Sequence, residues 1–395
     1  MTDLKTVPSF PTDGVMRYAE IGDVTLESGT VLPDVTLGYE TWGTLNEAGD
    51  NAILVLHALT GNTHVSRGLV AADADAATRA YAESAGWWEG IVGPGCVIDT
   101  EKYFVLAPNL LGGCYGSTGP SSLAPDGKPW GSRFPLVTIR DTVAAELLLT
   151  KQLGITSYKY VIGASLGGAR SIEWAVSYPA LVRGCAVIAS SPTSTADVIA
   201  WANIQNQAIK ADPAFAGGDY YGSEGPVTGL GIARRIAHTT YRSAAELNFR
   251  FGREAQEGEN PLPTGGRRMG RYAVESYLDY HAQKLVDRFD ANSYLAINEA
   301  LISHDVTRGR GSLSQSLAGT SCHWLVAYVD SDRLFFPSES VVLAAELPVE
   351  VEAKAIHSAS GHDGFLIETD QVERLLATAF REQEELEAAS AYQAA

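Results

Sequence analysis

Residues 158–170, YKYVIGASLGGAR, constrain the fold of this chain more than any other segment. The first five of them are rich in β-branched and aromatic residues, which is typical of a short buried strand. Gly163-Ala164-Ser165-Leu166-Gly167-Gly168 then turns into a helical pattern over residues 169–178, which Pro179 ends. A serine on such a sharp turn presents its hydroxyl to solvent, and the glycines beside it let the strand and the helix approach closely.

This turn fits either a serine nucleophile or a phosphate-binding loop. A phosphate loop places Lys-Ser or Lys-Thr after its last glycine, whereas Ala169-Arg170 stand here. The start of the helix also supplies a free backbone N–H and a positive dipole end, which suit a developing oxyanion. We therefore interpret Ser165 as a nucleophile.

Strand-like and helical segments alternate on both sides of this turn. Strands are predicted at residues 35–40, 52–57, 103–108, 184–189, 322–329 and near 349–356, and helices at 138–153 and after 370. Strands separated by helices form a parallel sheet that is covered on both faces. The predicted class is therefore α/β, with a mostly parallel central sheet flanked by helices.

The alternation stops between residues 194 and 316. That stretch predicts helices with charged outer faces at residues 196–211, 230–239, 243–251 and 274–287. A helical insertion before the last strands is where an α/β-hydrolase fold carries a lid. We expect an α/β-hydrolase core at 1–193 and 317–395, with the lid inserted at 194–316.

The net charge and other features of the composition disfavour several classes of partner and of site. The formal net charge of −18 disfavours binding to nucleic acid or to an anionic membrane surface, although a local arginine cluster could still hold a small anion. The N-terminus lacks the pattern of a signal peptide and no run of about 18 apolar residues occurs, so the cytoplasm is the expected compartment. The four cysteines lie far apart, which argues against a disulfide framework or a metal site.

A serine nucleophile needs a base, and the base needs an orienting carboxylate. In this fold the acid and then the histidine follow the late strands. Asp330 and Asp332 both follow the strand at 322–329, and either could serve as the acid. His362, in a tight glycine-flanked loop, is the preferred base, and His357 is the alternative.

A second oxyanion donor is expected from the loop after an earlier strand. Residues 52–62, AILVLHALTGN, offer that loop, so the N–H groups of Leu59 and Leu166 should point at one spot. His57, in the same loop, is interpreted as a packed histidine rather than a catalytic one.

With these residues in place, the chain resembles the homoserine O-acetyltransferase family of α/β-hydrolase-fold enzymes, from about residue 39 to 376. The motifs that carry the resemblance are HALTGNTHV (57–65), GWWEGIVGPG (86–95), NLLGGCYGSTGP (109–120), GASLGG (163–168), RFDANSYL (288–295), SDRLFFP (331–337) and GHDGFL (361–366). The chain departs from the family pattern at four positions. Ala164 and Leu166 replace a glycine and a methionine on either side of the serine, Asn62 replaces an aspartate, and Phe336 replaces a proline.

The resemblance assigns roles to individual residues. It implies that Ser165 is acylated by an acyl-CoA and that His362 is the base, and it selects Asp332 over Asp330 as the orienting acid. It implies an oxyanion hole of Leu59 and Leu166. It further implies a homoserine pocket, in which Arg234 or its neighbour Arg235 meets the carboxylate, lined by Tyr241, Asp363 and Thr60.

The resemblance also implies a reaction and partners. The expected activity is a ping-pong transfer of acetyl from acetyl-CoA, a co-substrate, to L-homoserine for methionine synthesis, with no metal or other cofactor. A homodimer through the lid helices is expected. An esterase, a succinyl-CoA-dependent enzyme and a serine-accepting enzyme are alternatives. Arg267, Arg268 and Arg271 form a basic cluster that either contacts CoA or is a solvated loop.

Overall fold

The computed structural model describes residues 14–70, 73–262 and 266–394. The N-terminal residues on which the signal-peptide interpretation rests lie outside these ranges. Across the described part, every helix is too short or too polar to span a bilayer.

Ten strands are described, eight of them in one sheet. They are β1 (Arg17–Thr25), β2 (Val31–Trp42), β3 (Ala52–Leu56), β4 (Val92–Gly93), β5 (Ile98–Asp99), β6 (Phe104–Pro108), β7 (Tyr158–Ala164), β8 (Gly184–Ile188), β9 (His323–Val329) and β10 (Lys354–Ile356). The order in the sheet is β1-β2-β6-β3-β7-β8-β9-β10. Strands β1 and β2 pair antiparallel with each other, as do β2 and β6, and all the other pairs are parallel. The mostly parallel sheet was predicted correctly, whereas β1 was not predicted.

Twelve α-helices occur in the described ranges. They are α1 (Ala76–Ala82), α2 (Ile139–Gln152), α3 (Leu166–Ser177), α4 (Ala196–Lys210), α5 (Val227–Tyr241), α6 (Ala244–Phe251), α7 (Ala273–Val286), α8 (Ala291–Ile302), α9 (Leu313–Leu317), α10 (Pro337–Ala345), α11 (Gly364–Ile367) and α12 (Thr369–Ala394). Helices α4 to α9 all lie between β8 and β9 along the chain.

Both faces of the sheet are buried, as the alternation of side chains along β3 illustrates. Leu54 and Leu56 pack on the face that α2 and α3 cover, whereas Ile53 and Val55 pack on the face that α12 covers. A strand buried on both faces reads as a continuous apolar run, AILVL. A third apolar cluster joins the carboxyl edge of the sheet to helices α4, α5 and α8.

The carboxyl ends of the parallel strands therefore meet beneath helices α4 to α8. The loops that leave β3, β7, β9 and β10 all emerge at this edge, because parallel strands share one direction. These loops carry the sequence-predicted candidates for the oxyanion donors, the nucleophile, the acid and the base.

Candidate active site

Ser165 lies between the last residue of β7 and the first residue of α3 in a strained backbone conformation. Its φ is 57° and its ψ is −125°, a region that a residue with a side chain rarely adopts. Such strain costs about 1–3 kcal/mol and persists only where the surroundings enforce it. Here the enforcement comes from close contact: a Cβ on Gly163 would lie 2.1 Å from the carbonyl oxygen of Gly167. The strand and the helix can approach this closely only through glycine.

His362 is held by Asp332. Its Nδ1 lies 2.6 Å from Oδ2 of Asp332, and Oδ1 of Asp332 accepts hydrogen bonds from the N–H groups of Leu334 and Phe335 at 2.8 and 3.1 Å. Within the described part of the chain, the buried Nε2 of His362 has no hydrogen-bond partner. That nitrogen is therefore available to exchange a proton with a neighbouring group.

Carboxylates decide the protonation behaviour of His362. Burial alone would lower the pKa of this imidazole, but the charge of Asp332, its hydrogen bond and the charge of Asp363 outweigh burial and raise the pKa. The rings of Phe335 and Tyr241 lie near it, with centroids 5.3 and 5.8 Å away. The site thus favours an imidazolium more than water does.

The alternative pair, Asp330 and His357, occupies a different position. Oδ2 of Asp330 lies 2.9 Å from Nδ1 of His357, and these side chains are 42% and 76% exposed. Each aspartate therefore contacts its own histidine. Only the pair of Asp332 and His362 is buried at the carboxyl edge of the sheet.

Ser165 and His362 line the same cavity, whose volume is about 220 Å³. Seven of the sequence-predicted residues border it: Leu59, Thr60, Ser165, Arg234, Tyr241, His362 and Asp363. Asp332 lies behind His362, and Leu166 is fully buried and is not a lining residue. Leu166 is the first residue of α3, so its N–H has no acceptor within the helix.

The structure distinguishes Arg234 from Arg235. Arg234 borders the cavity and donates to the Thr60 hydroxyl at 3.4 Å, and its guanidinium lies 5.5 Å from the ring centroid of Tyr241. In the described ranges no carboxylate lies within ion-pair distance of it. Arg235 instead binds Asp279 at 2.8 Å and is 38% exposed. Of these two arginines, only Arg234 has its charge available to a ligand in the cavity.

Asp363 already has a cationic neighbour that the sequence analysis missed. Its Oδ2 lies 3.2 Å from a guanidinium nitrogen of Arg242. Burial raises the pKa of Asp363, while Arg242, His362 and Arg234 act to lower it, and burial dominates. Arg242 directly follows Tyr241, and this adjacency was the signal that could have identified it.

Six further lining residues were not predicted, and three of them are Trp87, Arg288 and Phe365. Arg288 donates to the carbonyl oxygen of Thr60 at 3.0 Å and so ties the loop before α8 to the loop after β3. Each of the three lies within a motif that carried the resemblance, GWWEGIVGPG, RFDANSYL or GHDGFL. The motifs therefore contained the signal, although no role had been attached to these positions.

The basic loop cluster is largely neutralised by its own neighbours. Arg271 binds Glu259 at 2.6 Å and Asp279 at 3.1 Å, and Arg268 contacts Glu275. Among the described residues, no cluster of histidine, cysteine and acidic side chains is arranged to hold a metal ion.

Comparison with known proteins shows which family and which relatives this chain is similar to. A family model for the α/β hydrolase fold matches residues 51–369. The homoserine O-acetyltransferase of Thermobifida fusca (strain YX) is 51% identical over 383 residues, which covers 94% of this chain and 97% of that protein.

Solved structures match as well. A homoserine O-acetyltransferase from Bacillus anthracis superposes with a TM-score of 0.82 at 26% identity, covering 92% of this chain and 97% of that one. Esterase E22 superposes with a TM-score of 0.81 at 26% identity, covering 92% and 99%. The fold thus serves both transferases and esterases, whereas the Thermobifida fusca relative, at 51% identity, is a homoserine O-acetyltransferase. The chain belongs to the homoserine O-acetyltransferases, a family of acyltransferases with the α/β-hydrolase fold.

Proposed function

We propose that this chain transfers the acetyl group of acetyl-CoA to the side-chain hydroxyl of L-homoserine through an acyl-enzyme on Ser165. The product, O-acetyl-L-homoserine, would serve methionine synthesis. One observation carries the proposal: in the described structure Arg234 is an arginine without a carboxylate partner, on the wall of the cavity that holds Ser165 and His362. An amino-acid acceptor needs such a cation, and a simple esterase does not.

In the first half-reaction Ser165 attacks the thioester carbonyl while Nε2 of His362 takes the hydroxyl proton. The N–H groups of Leu59 and Leu166 stabilise the negative charge on the carbonyl oxygen of the tetrahedral intermediate. The C–S bond then breaks, and CoA leaves as a thiol that carries the proton returned by His362. Asp332 keeps the proton of the neutral ring on Nδ1 and stabilises the transient imidazolium.

In the second half-reaction L-homoserine occupies the same cavity. Its carboxylate meets Arg234, near Tyr241 and Thr60, and its ammonium meets Asp363. The homoserine hydroxyl gives its proton to His362 and attacks the acetyl carbonyl, and collapse of the intermediate returns that proton to Ser165. Asp363 shares its charge between the ammonium and Arg242, which keeps a buried carboxylate compensated when the cavity is empty.

Water must be kept from the acyl-enzyme, because the same residues would hydrolyse it. Residues 194–316 are proposed to act as the lid. Helix α5 supplies Arg234 and Tyr241, so the cover of the site also binds the acceptor. Arg288 joins this region to the core loop at Thr60 and lines the cavity. Exclusion of water by a bound acceptor and a closed cover favours transfer over hydrolysis.

The same helices are proposed to form a homodimer. Large apolar side chains are exposed on four consecutive helices: Ile204 on α4, Ile232 on α5, Phe249 on α6 and Tyr280 on α7. Phe249 is 93% exposed, so a contact that covers this ring would remove a large apolar area from water. Analytical ultracentrifugation tests this: Phe249→Glu should shift the protein towards monomer, and a monomeric wild-type protein would contradict the dimer.

Release of free CoA thiol from acetyl-CoA tests the activity. Thiol should appear rapidly with L-homoserine, slowly with L-serine and very slowly with water alone, and mass spectrometry should detect O-acetyl-L-homoserine. Thiol release at an equal rate without an amino acid would identify a hydrolase instead. Faster reaction with succinyl-CoA would change the donor. Ser165→Ala should abolish turnover while the circular dichroism spectrum stays that of the wild type.

A further inference from the structure

Two of the sequence motifs meet at a buried histidine that takes no part in the proposed proton transfers. His57 leaves β3 in HALTGN, is only 1% exposed and does not line the cavity. Its Nδ1 lies 2.8 Å from the carbonyl oxygen of Ala58. Its Nε2 lies 3.3 Å from the backbone nitrogen of Leu110 and 3.1 Å from Nδ2 of Asn109, both in NLLGGCYGSTGP.

These contacts fix the tautomer of His57. The Leu110 N–H can only donate, so Nε2 is the acceptor and the ring proton is on Nδ1. That proton is donated to the carbonyl oxygen of Ala58. Burial, together with the positive charge of Arg170, lowers the pKa of His57 to about 3, so the ring is neutral at and around neutral pH.

The carbonyl that accepts this proton shares a peptide plane with the Leu59 nitrogen. In a trans peptide the C=O and the N–H point in opposite directions, so fixing the carbonyl of Ala58 also fixes where the Leu59 N–H points. The Gly61 N–H donates to the same oxygen at 2.9 Å and completes the turn. A Cβ on Gly61 would lie 2.9 Å from Cβ of His57 and 3.2 Å from its Nδ1. Only glycine at this position leaves the ring in place.

Asn109 is itself held from several sides. Its N–H donates to Gly38 at 2.8 Å, its carbonyl accepts from the Ser117 hydroxyl at 2.6 Å, and its Oδ1 accepts from the Tyr115 N–H at 3.2 Å. Its amide group is thereby turned so that Nδ2 faces His57. The ring of His57 is thus connected through Asn109 to strand β2 rather than to the helices that cover the cavity.

We propose that His57, held by Asn109, is a positioning residue that aims the Leu59 N–H at the oxyanion formed on Ser165. This rests on the proposed acyl-serine chemistry and adds to it a requirement for a hydrogen-bonding side chain at position 57. A histidine that merely filled space could be replaced by an apolar side chain of similar size without loss of rate.

Acylation of full-length protein by p-nitrophenyl acetate measures the role directly, because this ester needs the oxyanion hole but no homoserine site. His57→Leu should slow acylation about a hundredfold, near the effect of deleting one oxyanion donor. His57→Asn, whose amide can donate from the place of Nδ1, should recover at least tenfold of that loss. The KM for homoserine should stay within about twofold of the wild-type value in both variants.

Inhibition by a phenylboronic acid provides the second measurement, since its tetrahedral adduct on Ser165 places an oxygen in the oxyanion hole. Its inhibition constant should rise in His57→Leu in parallel with the rate loss. Asn109→Ala, which leaves Nε2 of the ring with only the Leu110 N–H as a partner, should show a smaller loss of both the acylation rate and the boronate affinity, and it serves if His57→Leu does not fold. A His57→Leu or Asn109→Ala protein with lowered Tm but wild-type acylation and boronate affinity would overturn the inference. Failure of wild-type protein to acetylate homoserine, with normal acylation by the ester, would instead overturn only the proposed acceptor.

Discussion

The Nδ1 of His362 lies 2.6 Å from Oδ2 of Asp332, with both side chains almost fully excluded from water. A carboxylate in this place fixes which ring nitrogen carries the proton in the resting enzyme. Asp332→Asn should therefore leave the fold intact and lower kcat about 10⁴-fold, because the amide can stabilise the wrong tautomer. Asp330→Asn is the matched control. It removes the carboxylate of the exposed pair with His357 and should leave kcat unchanged. Equal losses in the two variants would refute the assignment.

The raised pKa of His362 predicts the acid limit of activity. The base must be neutral to accept a proton, so kcat/KM for p-nitrophenyl acetate should fall as the pH drops through a value above 6.5, the ordinary value. Asp363→Asn removes one of the charges that raise this pKa and should shift the limit to lower pH. A limit below 6.5 in the wild type would contradict the balance of burial and charge described here.

The raised pKa of His362 also affects stability. A raised histidine pKa stabilises the folded state at acidic pH, and this contribution is lost as the pH rises through the folded-state pKa.

Arg234 and Arg235 form a matched pair for testing acceptor binding. Arg234→Met should raise the KM for homoserine about 10- to 100-fold and change the KM for acetyl-CoA little, because a charge-assisted hydrogen bond contributes about 1.5–3 kcal/mol. Arg235→Met removes a partly exposed ion pair with Asp279 and should leave both constants within about twofold. Steady-state kinetics with each substrate varied in turn gives the comparison. A larger effect from Arg235→Met would place the carboxylate elsewhere.

The core of the fold could be predicted because local signals agree with tertiary position. Strands β3 and β7 are apolar throughout, and the glycines after β7 leave little choice of turn. Helix α8 was missed for the opposite reason: it is buried on almost every side, including Asn292 and Asn298, so it shows no alternation of polar and apolar faces. Strand β1 was missed because it lies at the sheet edge, where half-exposed residues such as those in RYAEIGDVT carry a weak pattern.

Within the site, the order of residues along the chain predicted the groups at the carboxyl ends of the strands. It did not predict the groups that the covering helices and loops bring to the cavity. Leu59, Ser165, Asp332 and His362 follow strands, and the topology brings them to one edge. Arg242 and Arg288 come from the end of α5 and the loop before α8, and although Tyr241 and the RFDANSYL motif mark these segments, no strand or helix pattern predicts that they pack against the site. The choice between Arg234 and Arg235 depended on Asp279, which is more than 40 residues away and decides which guanidinium is neutralised.

Glu339, in the first turn of α10, predicts a pH-dependent change in stability. Burial and the charge of Asp332 raise the pKa of Glu339 to about 7, although a hydrogen bond with the backbone of Phe336 opposes this. When the pKa of a carboxyl is higher in the folded than in the unfolded protein, the protein loses stability as the pH rises from the unfolded-state pKa towards the folded-state pKa. Over this range the unfolded chain gives up the proton more readily than the folded one. Glu339→Gln should raise the Tm by about 2 °C at pH 8 and leave it unchanged at pH 4.5. A lower Tm at pH 8 would contradict this, and Glu350→Gln on the surface is the control.

The glycines beside Ser165 predict that a single added methyl group at this turn lowers the stability of the protein strongly. A Cβ on Gly167 would lie 2.0 Å from the carbonyl oxygen of Leu56, a backbone atom of β3 that cannot move without disturbing the sheet. Gly167→Ala should therefore lower the free energy of unfolding by about 3 kcal/mol, at the upper end of overpacking effects, and displace Ser165. Gly319→Ala is the matched control, because nothing lies within 4 Å of its added carbon and its φ is not positive. Urea unfolding of the two variants measures the difference. A Gly167→Ala protein as stable and as active as Gly319→Ala would mean that α3 can shift away from β3 without cost, and the strain at Ser165 would then need another cause.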